Sequence, residues 1–388
     1  MTGFLRDELT AEECALLDSA AAFARDTVAP NADLWERTRR QPVEALREAA
    51  SLGLLRIETP QEAGGLGLRF MVKLALCEEM SRTDMAFAFS LINTQNVSAR
   101  LAVSPSLRHR EEHVPALMSG ELFGATALSE PGAGSDFSGI RTSAVKGDGG
   151  WRLNGEKGWI TNAGIADLFI TYVQTDPSAG WRGIASFLVD ARRPGFRRGE
   201  PYALMGGHAI GAGGFTLKDY FAPQDDMLAG PGEAFKLAMK GVNGARVYVA
   251  AMCAGLLASS LETALTYGAV RETFGKRLLD HQGLNWSLGD VANDLEALRG
   301  LVLRAGRLID SGEDAVMAAA HAKKFSGRVT LPRIADCIQA MGAAGLSEEY
   351  PLGRHLACAK IAGYTDGSTE MMNERIGADL LEIHGPKA

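Results

Sequence analysis

Two short stretches concentrate the residue types that do chemistry. Ser129-Glu130-Pro131-Gly132-Ala133-Gly134-Ser135-Asp136, with Leu128 just ahead, and Trp159-Ile160-Thr161-Asn162 bring together hydroxyls, an indole and a Gly-rich turn. An aromatic face stacks on a flat heterocycle while hydroxyls and backbone N–H groups bond its rim, so the set suits an extended ring such as a flavin. The same residues also read as a turn followed by a strand with a buried Trp. Further on, Arg271-Glu272-Thr273-Phe274-Gly275-Lys276-Arg277 offers cations and a hydroxyl beside a glycine break, a cradle for a pyrophosphate. Cations at a helix C-terminus are also favourable with no ligand. Gln339 with Gly342-Ala343-Ala344-Gly345 places an amide before a tight turn, which equally reads as a helix cap. In Asp366-Gly367-Ser368-Thr369-Glu370 the leading carboxylate is either an N-cap or, in an apolar pocket, a general base with a raised pKa.

Other chemistries find less support. The turn at residues 132–137 lacks the third glycine of a dinucleotide fingerprint, and residues 206–214 lack the Lys-Ser/Thr of a phosphate loop. The seven histidines show no ligand spacing, so no metal is expected. Five scattered cysteines, none paired as C-x-x-C, signal neither a disulfide framework nor zinc and fit a reducing cytoplasm. With 40 basic against 47 acidic residues and a net charge of -7, a nucleic-acid groove is disfavoured as the main partner surface. Residues 1–8 are unlike a secretory signal, and the apolar run at residues 247–261 falls short of the ~20 residues a membrane span needs, so no membrane insertion is expected.

The elements that must position these residues fall into three blocks. Residues 1–120 look helical: a capping box, Thr10 with Glu13, opens a helix predicted to end at Pro30, and helical spacing repeats over residues 42–54 and 70–82. Residues 121–230 change to short β-rich runs separated by turn residues, which reads as a small antiparallel domain. Residues 231–388 return to long helical segments, over 234–272, 282–311 and 314–341, with a last helix from Ser368, as in a bundle. Pro332 inside the third segment is expected to kink or split it. The fold class is α+β, mainly α.

Taken in order along nearly the whole chain, residues 129–136, 159–162, 271–276, His281-Gln282, 339–345, Glu349-Tyr350-Pro351 and Asp366-Gly367-Ser368 resemble the acyl-CoA dehydrogenase family. The resemblance implies an N-terminal helical domain, a middle β-domain and a C-terminal four-helix bundle holding FAD, usually in a homotetramer, with a homodimer as the alternative. It implies that Leu128, Ser129, Ser135, Trp159 and Thr161 hold the flavin ring and substrate. Arg271, Thr273, Phe274 and Gln282, with Gln339 and Gly342 from a neighbouring subunit, would hold the adenosine diphosphate half, and Ser368 and Glu370 would lie beside it. Ser135, Arg246 and Gly367 would meet the substrate. The implied reaction removes two hydrogens across the α and β carbons of an acyl thioester, carried by CoA or a carrier protein, with an electron-accepting flavoprotein as a possible partner.

Two departures from the family pattern stand out. The usual base is a Glu before Gly-Thr, and the matching residue is Asp366. One methylene less withdraws the carboxylate by up to ~1.5 Å, and misplacing a reacting group by about 1 Å costs on the order of 100-fold in rate. The family's second location for the base holds Ala245 beside Arg246, and Glu370 lies one helical turn too far on. In residues 205–213, His208 and Ile210 stand where relatives generally carry an Arg and a hydroxyl residue, which puts the usual contacts to the thioester handle in question. The alternatives are a flavin oxidase or monooxygenase on the same fold, or a non-catalytic flavin-binding homologue.

Overall fold

The structure, a computed structural model, describes residues 4–384; Met1–Gly3 of the N-terminal segment and the last four residues of the C-terminal block lie outside the described residues. The first helix, α1 (Ala11–Phe23), is opened by the expected capping box: the Glu13 amide donates to Thr10 Oγ1 and the Thr10 amide to Glu13 Oε2. It does not stop at Pro30. The chain widens into a π-helical turn over Ala24–Val28 and continues as α2 (Ala29–Thr38), with Pro30 in the first turn of the new segment. Proline has no N–H to lose there, and the widened turn leaves room for its ring. Helices α3 (Val43–Ser51), α4 (Phe70–Thr83), α5 (Met85–Ala102) and α6 (Val114–Met118) complete the N-terminal block. The Asp84 carboxylate caps α5 through the Phe87 amide and takes Arg354 from the C-terminal block on its other oxygen, at 3.2 Å.

The middle block is one eight-stranded sheet of β1 (Gly124–Ala127), β2 (Ser143–Gly147), β3 (Gly150–Ile160), β4 (Leu168–Gln174), β5 (Ile184–Asp190), β6 (Phe196–Arg198), β7 (Gly213–Pro223) and β8 (Met227–Ala229). Its order is β6-β7-β3-β2-β4-β5-β8, with β1 also on β4. Most pairings are antiparallel as expected, but β1 runs parallel to β4 along its length and β2 meets β4 in parallel at Ser143. A parallel neighbour requires a crossover. The excursion through the Ser129–Asp136 loop, β2 and β3 supplies it.

Helix α7 (Ala234–Val270) is buried without interruption from Val247 to Ala258, and 72% of its apolar window lies inside the protein. A short hairpin, β9 (Glu272–Thr273) and β10 (Lys276–Arg277), follows it, then α8 (Gln282–Asp310), α9 (Val316–Met341), α10 (Leu352–Ala362) and α11 (Thr369–His384). Helix α9 is unbroken at Pro332, which lies on its exposed face. There the carbonyl that loses its partner can be met by water, so the helix is not split.

Candidate active site

The Trp159 side chain is aimed by a fault in the sheet. Between Lys157, opposite Phe215, and Ile160, opposite Gly213, β3 carries one residue more than β7, and Trp159 takes the left-handed φ of 62°. A bulge of this kind re-aims a side chain. The indole is left 61% exposed, with its centroid 4.6 Å from that of Tyr202. The reading as a buried strand Trp does not fit this geometry. Three residues on, Asn162 is buried with φ 64°: its Nδ2 donates to Ser90 O at 2.8 Å, which ties the segment to the N-terminal block, and its amide donates to Ile210 O of the middle block at 2.9 Å.

Beneath the Ser129–Asp136 loop lies an ion pair that the sequence did not reveal. Lys157 Nζ donates to Glu130 Oε1 at 2.9 Å and to Leu128 O at 3.0 Å, and the Gly158 amide donates to Ser129 O. Glu130 also accepts from the amides of Arg141 and Thr142 at 2.7 and 2.9 Å. Burial draws the Lys157 pKa down to about 8, against the attraction of Glu130. Burial works against ionisation of Glu130 as well, but Lys157 and the hydrogen bonds outweigh it, so its pKa lies below the usual carboxylate range. The pair fixes the backbone of Leu128 and Ser129. Ser135, Gly132 and Gly134 stay on the open side of the loop.

Asp366 is not an N-cap. Helix α11 starts at Thr369, and it is the Ser368 hydroxyl that accepts the Met371 amide, at 3.5 Å. Two successive left-handed residues, Asp366 at φ 55° and Gly367 at φ 104°, reverse the chain ahead of the helix. The reversal turns the Asp366 carboxyl inward, where Oδ2 is sealed from solvent without a hydrogen-bond partner. Two cations approach: Arg246 Nε donates to the Asp366 carbonyl at 3.1 Å, and Lys323 Nζ donates to the carbonyls of Ala362 and Gly367 at 2.7 and 3.3 Å. Burial raises the Asp366 pKa to about 6 even though Lys323 and Arg246 pull it down. Glu370 is fully exposed, its pKa lowered by its own backbone amide and by Ser368, and it does not face Asp366's pocket.

The remaining candidates form a second group on the surface. Phe274, at the tip of the β9–β10 hairpin, is 93% exposed with φ 50°, beside exposed Arg271, half-buried Thr273 and exposed Gln282. Gln339 and Gly342 are exposed at the end of α9, where Gly342 caps the helix at φ 62°. Among the described residues no hydrogen bond joins this helix end to the hairpin. His208, in place of the Arg of the family pattern, lies 3.0 Å from Glu36 and packs down rather than outward, and Ile210 is buried.

Lys323 was missed because Lys323-Lys324 reads as a solvated pair. Only helical phase, with Ala319, Ala322, Ser326 and Thr330 buried beside it, marks which of the two goes inside. Among the described residues no three of His, Cys, Asp and Glu converge as a metal-ligand set.

Helical, β-sheet and helical-bundle blocks in this order make up the three-domain fold of a dehydrogenase family. Family models for the N-terminal, middle and C-terminal domains of acyl-CoA dehydrogenases match residues 10–121, 125–220 and 232–381. The chain belongs to the acyl-CoA dehydrogenase family. It is 31% identical over 378 residues to an acyl-CoA dehydrogenase of Bacillus subtilis (strain 168), spanning 96% of this chain and 99% of the relative. Among solved structures it superposes on butyryl-CoA dehydrogenase of Megasphaera elsdenii with a TM-score of 0.92 at 31% identity, covering 96% of this chain and 99% of that one. It superposes on the FAD complex of PigA with a TM-score of 0.90 at 28% identity, covering 96% and 98%.

Proposed function

We propose that this protein binds FAD and dehydrogenates an acyl thioester across its α and β carbons, with Asp366 as the base. The observation that carries the reading is Asp366 Oδ2: sealed, unpartnered and with two cations nearby, it is an acceptor with nothing in the folded chain to accept from. Such an orphan is costly unless a ligand completes it. The residues present also fit a flavin. Trp159 and Thr161 supply a face and a hydroxyl, Ser129 and Ser135 supply rim donors on a loop held by Lys157 and Glu130, and Arg271, Thr273, Phe274 and Gln282 fit a diphosphate and adenosine beyond. Gln339 and Gly342 complete that end from a neighbouring copy in a homotetramer or homodimer, and Ser368 and Glu370 border it. When bound, FAD supplies the hydride acceptor.

The chain's own residues do the rest. Asp366 takes the α-proton on Oδ2, and Arg246 and Lys323 keep enough of its carboxyl ionised near neutral pH to do so. Arg246 and Gly367 border the substrate, and the buried wall of α7 excludes water from it. The thioester handle is CoA or a carrier protein, and the electrons leave to an electron-transferring flavoprotein. The test is an anaerobic reduction screen of the yellow protein over acyl-CoA and acyl-carrier thioesters. A thioester of this panel bleaches the parent, and Asp366→Asn keeps its colour but does not bleach; equal bleaching rates for the two would remove Asp366 from the role of base.

A further inference from the structure

Beyond Asp366 the same side of the pocket is polar where an alkyl chain would need hydrocarbon. Lys73 of α4 is 2% exposed and pairs with Glu58, and its Nζ also donates to Asn96 Oδ1 of α5 at 2.6 Å. Lysine can only donate, so the Asn96 amide is oriented with its nitrogen the other way. That nitrogen donates to Tyr248 Oη at 3.3 Å. Tyr248 lies on α7 two residues from Arg246 and is 6% exposed. The Lys73 ammonium sits 5.2 Å from its ring centre and 5.8 Å from that of Phe70. Asp366 is near enough for its charge, after burial, to push the phenol pKa up further.

The hydrogen-bond arithmetic leaves one group unspent. Tyr248 accepts from Asn96, but its own hydroxyl hydrogen has no acceptor among the described residues. On the same face of α7, a Cβ at Gly244, one turn earlier, would meet only the Phe70 ring, at 3.7 Å, and one at exposed Gly241, two turns earlier, would meet nothing within 4 Å. The glycines leave this face of α7 without side chains between solvent at Gly241 and the Phe70 ring, next to Tyr248. Lys73 is already paired with Glu58, so it offers a ligand no unneutralised charge. A plain alkyl end would bury the phenol hydrogen unpaired.

We propose that the substrate pocket beside Asp366 ends in Tyr248, Asn96 and Lys73 and takes a small acyl group bearing an oxygen acceptor at or beyond its β carbon. The inference rests on the acyl-thioester reading above and narrows its substrate class. Two pantetheine thioesters that differ by one atom test it on the FAD-loaded protein: 3-methoxypropionyl and pentanoyl, oxygen against methylene. Pantetheine is common to CoA and carrier proteins, so the handle does not bias the outcome. The ratio of kcat/KM for anaerobic bleaching favours the methoxy compound by about tenfold, the value of one buried hydrogen bond. In Tyr248→Phe the ratio falls towards one. Calorimetric titration of the unreactive amide analogues into the parent gives the same preference in Kd, and this measurement stands if the variant fails to fold. A ratio of one or below in the parent, by bleaching or by Kd, overturns the inference. If neither thioester bleaches the flavin, the dehydrogenase reading falls, and the amide titration still decides the polarity of the pocket.

Discussion

At the scale of single residues, Asp366 sets both the activity and a stability cost. Its pKa of about 6 means that the base is protonated at pH 5 and largely ionised above pH 7. We expect kcat/KM to rise with pH through about 6, measured as the bleaching rate of the free enzyme at low substrate. The same shift destabilises the fold. A folded-state pKa above the unfolded one means that the folded state holds the proton more tightly, so stability is greatest below about pH 4 and declines as pH rises to about 6. A shift from 3.8 to about 6 corresponds to about 3 kcal/mol at neutral pH, at 1.36 kcal/mol per unit. Asp366→Asn removes that penalty: its melting temperature should exceed the parent's at pH 8 and match it at pH 4. A variant no more stable than the parent at pH 8 would show that the carboxylate is solvated in the folded protein.

At the scale of elements, β3 is where strand, bulge and ion pair act together. Lys157 points to the core and Trp159 to the surface because Gly158 and Trp159 face Gly214 alone between the ladder pairs at Lys157 and Ile160. Removing Lys157 leaves Glu130 buried beside two backbone amides with no countercharge, and breaking such a pair costs about 3–5 kcal/mol. Lys157→Met should lower stability by that amount in urea unfolding, and Lys157→Met with Glu130→Gln should recover part of it. The bulge also shows what sequence patterning conveys and what it conceals. The hydroxyls, the indole and the glycines of the flavin segments were legible as types, and the three blocks followed from a change of hydrophobic period. The bulge was not legible, because it depends on the register of β7, more than fifty residues away in sequence. Nor was the π-turn before Pro30, where local propensity predicts a stop and packing carries the helix through. The polar end of the pocket was hidden for the same reason: Lys73, Asn96 and Tyr248 come from three helices, and none carries a local signal.

For the molecule as a whole, the C-terminal block leaves several large apolar side chains exposed. Val270 is 78% exposed, Phe274 93%, Leu346 78% and Leu381 73%, on four separate elements of one block. We propose that these side chains are covered by a second copy of the chain or by the cofactor. The hairpin and the end of α9 carry the two halves of the proposed adenosine diphosphate site, so assembly and cofactor retention should be coupled. Phe274 has almost no contact to lose within the chain. Phe274→Ala should therefore leave the melting temperature of the flavin-free protein within about 1 °C of the parent, as expected for a surface change, while raising the fraction of flavin lost on gel filtration. Leu381→Glu, on the exposed face of α11, tests the interface from the other side. By light scattering it should shift the protein towards the monomer, and flavin should dissociate in step with the tetramer or dimer. A monomeric variant that keeps its full yellow colour would show that one chain holds the cofactor alone, and would remove Gln339 and Gly342 from the site.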